Sequence, residues 1–152
     1  LTAAMKDQDL VYVAVVDTST DNLWTRNVIV AMQKAAVQRV IFSNGLGIYD
    51  AVGGPFGRWN RQQFESAFVT MLKSDQLLAA SGLAYTTIRL PWLTNQPEIK
   101  YTVTHRHDPY LGISGSRQSA ADLILSMVQT PSKYVNDSLG LADPDTEGQA
   151  RP

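Results

Sequence analysis

Apolar positions along the chain come in short unbroken runs separated by stretches of helical period. Leu10–Val16 is seven apolar residues without alternation, ended by Asp17-Thr-Ser-Thr. A run that short and that rich in β-branched residues predicts a strand buried on both faces. Thr20 or Asp21 is placed to cap a helix over 22–36, with Trp24, Val28, Ala31, Met32 and Ala35 on one face. Arg39–Ser43 predicts a second strand. Residues 44–60, with five glycines and one proline, read as loop. A helix follows over 61–80, its stripe formed by Phe64, Phe68, Met71, Leu72 and Leu78 and its end marked by Ser81-Gly82.

Leu83–Arg89 predicts a third strand and Tyr101–Thr104 a short one. Ser116 or Ser119 starts the last helix, where Ser119-x-x-Asp122 has the pattern of a capping box, and Thr130-Pro131 stops it. Tyr134–Leu141 suits a final edge strand, followed by a polar tail from Asp143. The alternation predicts an α/β fold with a mainly parallel sheet, as one domain over 1–152. One feature fits poorly. A strand as apolar as 10–16 belongs inside a sheet, yet nothing before it supplies its outer neighbour. The expectation is that this edge either pairs with a second copy in self-association or normally has upstream elements beside it.

Charge and composition narrow the function classes. Thirteen Lys and Arg against fourteen Asp and Glu give a net charge of −1, which argues against nucleic acid and anionic membrane surfaces as partners. There is no cysteine, so disulfides, zinc–thiolate centres and thiol nucleophiles are excluded. No apolar run approaches the roughly 20 residues of a membrane span, and the start has neither Met nor a signal-peptide pattern. These features suit a cytoplasmic protein with a small-molecule ligand.

Four motifs carry a family resemblance. Thr25-Arg-Asn-Val-Ile-Val-Ala31 is similar to T-x-N-V-I-E-A, and Ala36-Val-Gln-Arg-Val-Ile41 to G-V-K-R-V-I before a strand and serine-rich turn. Ser81-Gly-Leu-Ala-Tyr-Thr-Thr-Ile-Arg-Leu-Pro-Trp-Leu93 resembles S-G-L-x-Y-T-I-L-R-P-x-W-L, and Ser116-Arg-Gln-Ser-Ala-Ala-Asp-Leu-Ile124 resembles S-R-x-x-V-A-x-L-I. In this order, over roughly 1–145, they resemble the atypical short-chain dehydrogenase/reductases, with the NmrA-like, NAD(P)H-binding branch the nearest match.

The resemblance implies a Rossmann-like, doubly wound sheet of which this chain is the C-terminal two-thirds. At ~30 residues per βα unit, roughly 60 to 75 residues carrying the G-x-x-G-x-x-G turn would precede Leu1. It implies NAD(P)H as cofactor, with weak or no dinucleotide affinity for these 152 residues alone. Strand ends are where such sheets bind ligands. That places Val15, Val16 and Asp17 on the adenine side, with Asp17 equally suited to a turn or a helix cap. It places Ser43, Asn44, Gly45, Pro91, Trp92 and Leu93 against the cofactor, where Pro91 and Trp92 equally suit a strand end that caps the core.

The catalytic set of the wider superfamily is a Ser that orients the carbonyl and a Tyr-x-x-x-Lys pair that delivers the proton. Those positions fall on Gly45 and near Ala67 and Met71, and the chain contains no Tyr-x-x-x-Lys. Tyr49 is then the candidate substitute acid; the alternative is a packed aromatic at a strand-to-loop corner. Gly53–Trp59 reads either as a surface loop or as a flap presenting Phe56 and Trp59 to substrate. Arg117 reads as a solvated helix-start residue. His105-x-His107 lacks a third metal ligand, and no metal site is expected. The functional expectation is an NAD(P)H-dependent oxidoreductase acting on a small carbonyl or quinone-like acceptor. The alternatives are a non-catalytic dinucleotide or redox sensor, or an interaction protein.

Overall fold

A computed structural model describes residues 1–152. A short helix α1 (Thr2–Met5) leads into β1 (Leu10–Val13), α2 (Leu23–Ala35), β2 (Arg39–Gly45), α3 (Gly54–Ala80) and β3 (Ala84–Leu90). Then come β4 (Trp92–Thr94), β5 (Thr102–Thr104), β6 (Ser114–Ser116), α4 (Arg117–Gln129) and β7 (Asp137–Ala142). The main sheet has the order β1-β2-β3-β7-β5, parallel except for β5, while β4 and β6 form a separate parallel pair. Successive residues of β2 serve opposite faces. Val40 and Phe42 pack with Val28, Ala31 and Met32 of α2 and Leu78 of α3, whereas Ile41 packs with Leu123 and Met127 of α4. That double burial is why β2 is apolar without alternation. No helix is long and apolar enough to cross a membrane.

Several expectations require correction. The first strand spans only Leu10–Val13 and is not buried on both faces: Tyr12 is 40% and Val15 53% exposed. It pairs with β2 alone, and the α4 cluster covers the Tyr12 face chiefly over β2, β3 and β7. Trp24 is exposed and Thr25 takes the buried position. The α2 cap is neither Thr20 nor Asp21. Asp17 does that work, accepting bonds from the Thr25 backbone N–H (2.9 Å), the Thr25 hydroxyl (2.6 Å) and the Ser19 backbone N–H (2.9 Å).

The long helix begins at Gly54, not at 61, because Pro55 sits in the first turn, where its missing N–H costs nothing. Gly57 is required there, since a Cβ would stand 2.3 Å from the Val52 carbonyl oxygen. A kink at Phe64 (φ −129°, ψ 20°) turns that ring out of the expected stripe. The last strand, β7, is interior, and β5 is the edge. Ser116 caps α4 by accepting from the Ser119 N–H at 2.9 Å, while Asp122 instead accepts from the Tyr101 hydroxyl. Part of the tail from Asp143 folds back, with Thr146 Oγ1 accepting from the Ile113 N–H at 2.9 Å.

The C-terminal half of α3 carries a buried charge. Asp75 is fully buried and its Oδ2 is paired with Arg106 Nη1 at 2.6 Å. Tyr49 donates its hydroxyl hydrogen to the same carboxylate oxygen and accepts from Arg106, whose other amine meets the Tyr85 hydroxyl. Asp75 Oδ1 has no partner, so Arg106 is what keeps this carboxylate compensated. Burial, and then the carboxylate beside it, push the Tyr49 hydroxyl well above its ordinary pKa.

Two stability measurements check these contacts by urea unfolding. Asp17→Ala is expected to cost about 1–2 kcal/mol near neutral pH. Burial tends to raise the Asp17 carboxyl, but its bonds to Ser19 and Thr25 outweigh this and hold it below its usual range. Its contribution is therefore complete above that range and is lost as pH falls below it through the depressed value, so variant and wild type converge in acid. Arg106→Met is expected to cost about 3–5 kcal/mol by stranding Asp75. Tyr49→Phe, which leaves the ion pair intact, costs only about 1–2 kcal/mol.

Candidate functional site

The carboxyl ends of β1, β2 and β3 open onto a cleft of about 400 Å³. Val16 and Thr18 follow β1; Asn44, Gly45 and Leu46 end β2; Leu90–Leu93 end β3. Helix α3 contributes Phe64, Ala67 and Met71, and α4 contributes Arg117. Parallel strands present their ends together, and side chains that follow them diverge, which is why open α/β sheets bind ligands here. The wall after β3 is fixed by its backbone and by one indole. The Leu90 carbonyl accepts from the Leu46 N–H (3.1 Å), and the Trp92 N–H donates to Ile113 (3.1 Å). Trp92 Nε1 donates to the buried Asn60 Oδ1 at 2.9 Å, and its ring lies 5.0 Å from Trp59 and 5.5 Å from Phe64.

Asn44 is committed to the fold. Its Nδ2 donates to the Met71 carbonyl at 2.9 Å, and its Oδ1 accepts from the Gly45 N–H at 2.8 Å. This bond brings α3 so near β2 that a Cβ on Gly45 would lie 2.6 Å from Met71 Sδ. Gly45, Ala67 and Met71 thus converge on one cleft, as positions of an acid–base set would, but with no group able to give or take a proton. Arg117 is the only ionic side chain in the lining.

Of the expected cofactor residues, Val16, Asn44, Gly45, Pro91, Trp92 and Leu93 line the cleft. Three do not. Val15 faces solvent, Asp17 is buried as the α2 cap, and Ser43 is buried with its hydroxyl 3.1 Å from that of Tyr12. Tyr49 lies outside the lining, tied to Asp75 and Arg106, which favours the packed-aromatic reading. Phe56 is buried with Leu46, Tyr110 and Ile113, and Trp59 stands behind Trp92. Residues 54–59 are helix, so they form no flap. His105 pairs with Asp137 while the His107 ring meets Tyr49 edge-on, so the two rings face different partners. Sequence reasoning missed Thr18, Leu46, Phe64 and Arg117. Phe64 and Met71 were read as part of the core stripe and Ala67 only as the position of the superfamily's Tyr; their spacing did not show that all three face the cleft.

The family model described as NAD(P)H-binding matches residues 1–131. A Rossmann-fold NAD(P)-binding family protein from Shigella flexneri is 32% identical, with a TM-score of 0.75 over 97% of this chain and 66% of that one. A wide-type short-chain dehydrogenase/reductase from Veillonella parvula, solved in complex with NADP, is 21% identical with a TM-score of 0.90 over 99% of this chain and 70% of that one. ChuY, an anaerobilin reductase from Escherichia coli O157:H7, is 20% identical with a TM-score of 0.79, covering 95% and 68%. No curated protein matches significantly. The chain thus spans about two-thirds of the length of these structural relatives. By the family match over residues 1–131, this chain belongs to the NAD(P)H-binding family.

Proposed function

We propose that the strand-end cleft receives the nicotinamide end of NAD(P)H and a planar, conjugated acceptor of quinone type. The observation that carries this is the apolar identity of Gly45, Ala67 and Met71 at the cleft floor. Reducing a simple ketone builds charge on one oxygen, and that charge needs a positioned acid or hydrogen-bond donor. A quinone spreads the charge over its ring system and takes its proton from water. NAD(P)H, when bound, supplies the hydride. Val16, Gly45 and Pro91 give the ring an apolar seat with room for close approach, and Asn44 keeps Met71 in place beneath it. Phe64 and Trp92 offer faces for stacking the acceptor and exclude water from between the reactants.

The same lack of an acid also favours a second reading, a dinucleotide sensor without turnover. Two measurements separate them. Calorimetric titration with NADPH is expected to give millimolar affinity, because these residues contain no G-x-x-G-x-x-G turn to cradle the pyrophosphate. Micromolar binding would contradict that expectation, and no heat at high millimolar cofactor would end the proposal. NADPH oxidation by menadione is expected to be flat between about pH 6 and pH 9, with cyclohexanone inert. A bell-shaped profile reveals an acid the cleft does not contain. Binding without menadione reduction selects the sensor.

A further inference from the structure

Arg117 sits where its own helix disfavours it. It is the first residue of α4 after the Ser116 cap, and the first turn contains no acidic residue. A helix N-terminus carries partial positive charge, so a guanidinium there is repelled unless something else holds it. What holds it is slight: Nη1 donates to Asn95 Oδ1 at 2.8 Å and to the Leu93 carbonyl at 3.3 Å, both in exposed positions. Nε and Nη2 make no hydrogen bond, although the side chain lines the cleft. The side chain is exposed and presents its remaining donors at the cleft. No carboxylate lines the cleft to neutralise it.

We propose that Arg117 sets acceptor specificity: the ring lies against Phe64 and Trp92, and an anionic substituent, a carboxylate or phosphate, meets the free edge of the guanidinium. The helix terminus and the charge then act together on the anion, which turns the unfavourable placement into a favourable one once ligand is present. This inference rests on reading the cleft as the acceptor site. The anion has two sources, the acceptor itself or a dinucleotide phosphate, and we assign it to the acceptor because Arg117 lies on the Leu93 wall beside the stacking rings.

Riboflavin and FMN share one planar hydride-accepting ring and differ by a phosphate, so they make a matched pair. Dissociation constants are measured calorimetrically for wild type, Arg117→Gln and Arg117→Lys, with NADPH titrated in parallel. Wild type is expected to bind FMN about tenfold tighter than riboflavin. In Arg117→Gln that advantage vanishes while the riboflavin constant and the urea midpoint hold or improve. Arg117→Lys keeps part of it, as a point charge lacking the fork. Equal binding of the two flavins by wild type overturns the assignment, as does an Arg117→Gln loss that is the same for both, which would make Arg117 a strap for Leu93. A loss confined to NADPH places the anion on the cofactor and overturns it too. Failure of both flavins to bind overturns the acceptor reading beneath it.

Discussion

Helix α3 is held in register against the strand ends by side-chain hydrogen bonds, and the cleft exists because of where they hold it. Asn44 Nδ2 donates to the Met71 carbonyl, Asn22 Nδ2 to the Thr70 carbonyl (2.7 Å), and Trp92 Nε1 to Asn60 Oδ1. The hydroxyls of Thr25 and Ser74 meet at 2.7 Å. Asn22, Thr25, Asn44, Asn60 and Ser74 are all buried, so breaking any one bond strands a polar group at about 1–3 kcal/mol. Apolar packing alone tolerates small slides; these bonds do not. A slip of one residue turns the helix by about 100° and would carry Ala67 and Met71 away from Gly45.

The fixed register gives α3 two characters. Through Phe64, Ala67 and Met71 it lends the cleft apolar and sulfur atoms; further along, Asp75 turns inward to Tyr49 and to Arg106, which in turn bonds Tyr85. Ionisable groups are therefore gathered away from the cleft, where they tie the 105–108 loop to the helix. The cleft retains only Arg117 at its rim. Such a distribution suits acceptors that carry their own charge better than simple ketones.

The sequence made β2 and β3 legible because both faces of each are buried, which leaves short runs rich in β-branched and aromatic residues without alternation: Val40–Phe42 in β2 and Tyr85–Ile88 in β3. The same signal overextended β1, since an apolar run does not show where pairing stops: Val15 lies beyond the paired residues Leu10–Val13 and is exposed. Glycines and Pro55 concealed the first turns of α3, because residues that usually punctuate are also tolerated where a helix begins. Of the residues singled out by the strand-end rule, Val16, Asn44, Gly45 and Pro91–Leu93 line the cleft. It could not find Phe64, which reaches the cleft only through a backbone kink, or show that Asn44 is spent on Met71. The position of Tyr49 after β2 left both a substitute acid and a packed aromatic open; only the buried carboxylate of Asp75, distant in sequence, explains what its hydroxyl does.

Met71 offers a direct probe, since the other methionines, Met5, Met32 and Met127, are buried in the two main cores away from the cleft. With ¹³C-methyl methionine incorporated, NADPH added into the millimolar range should shift the Met71 methyl resonance progressively and leave the other three in place. An unmoved Met71 methyl, or shifts confined to Met5, Met32 or Met127, would contradict a nicotinamide seat at the ends of β1, β2 and β3.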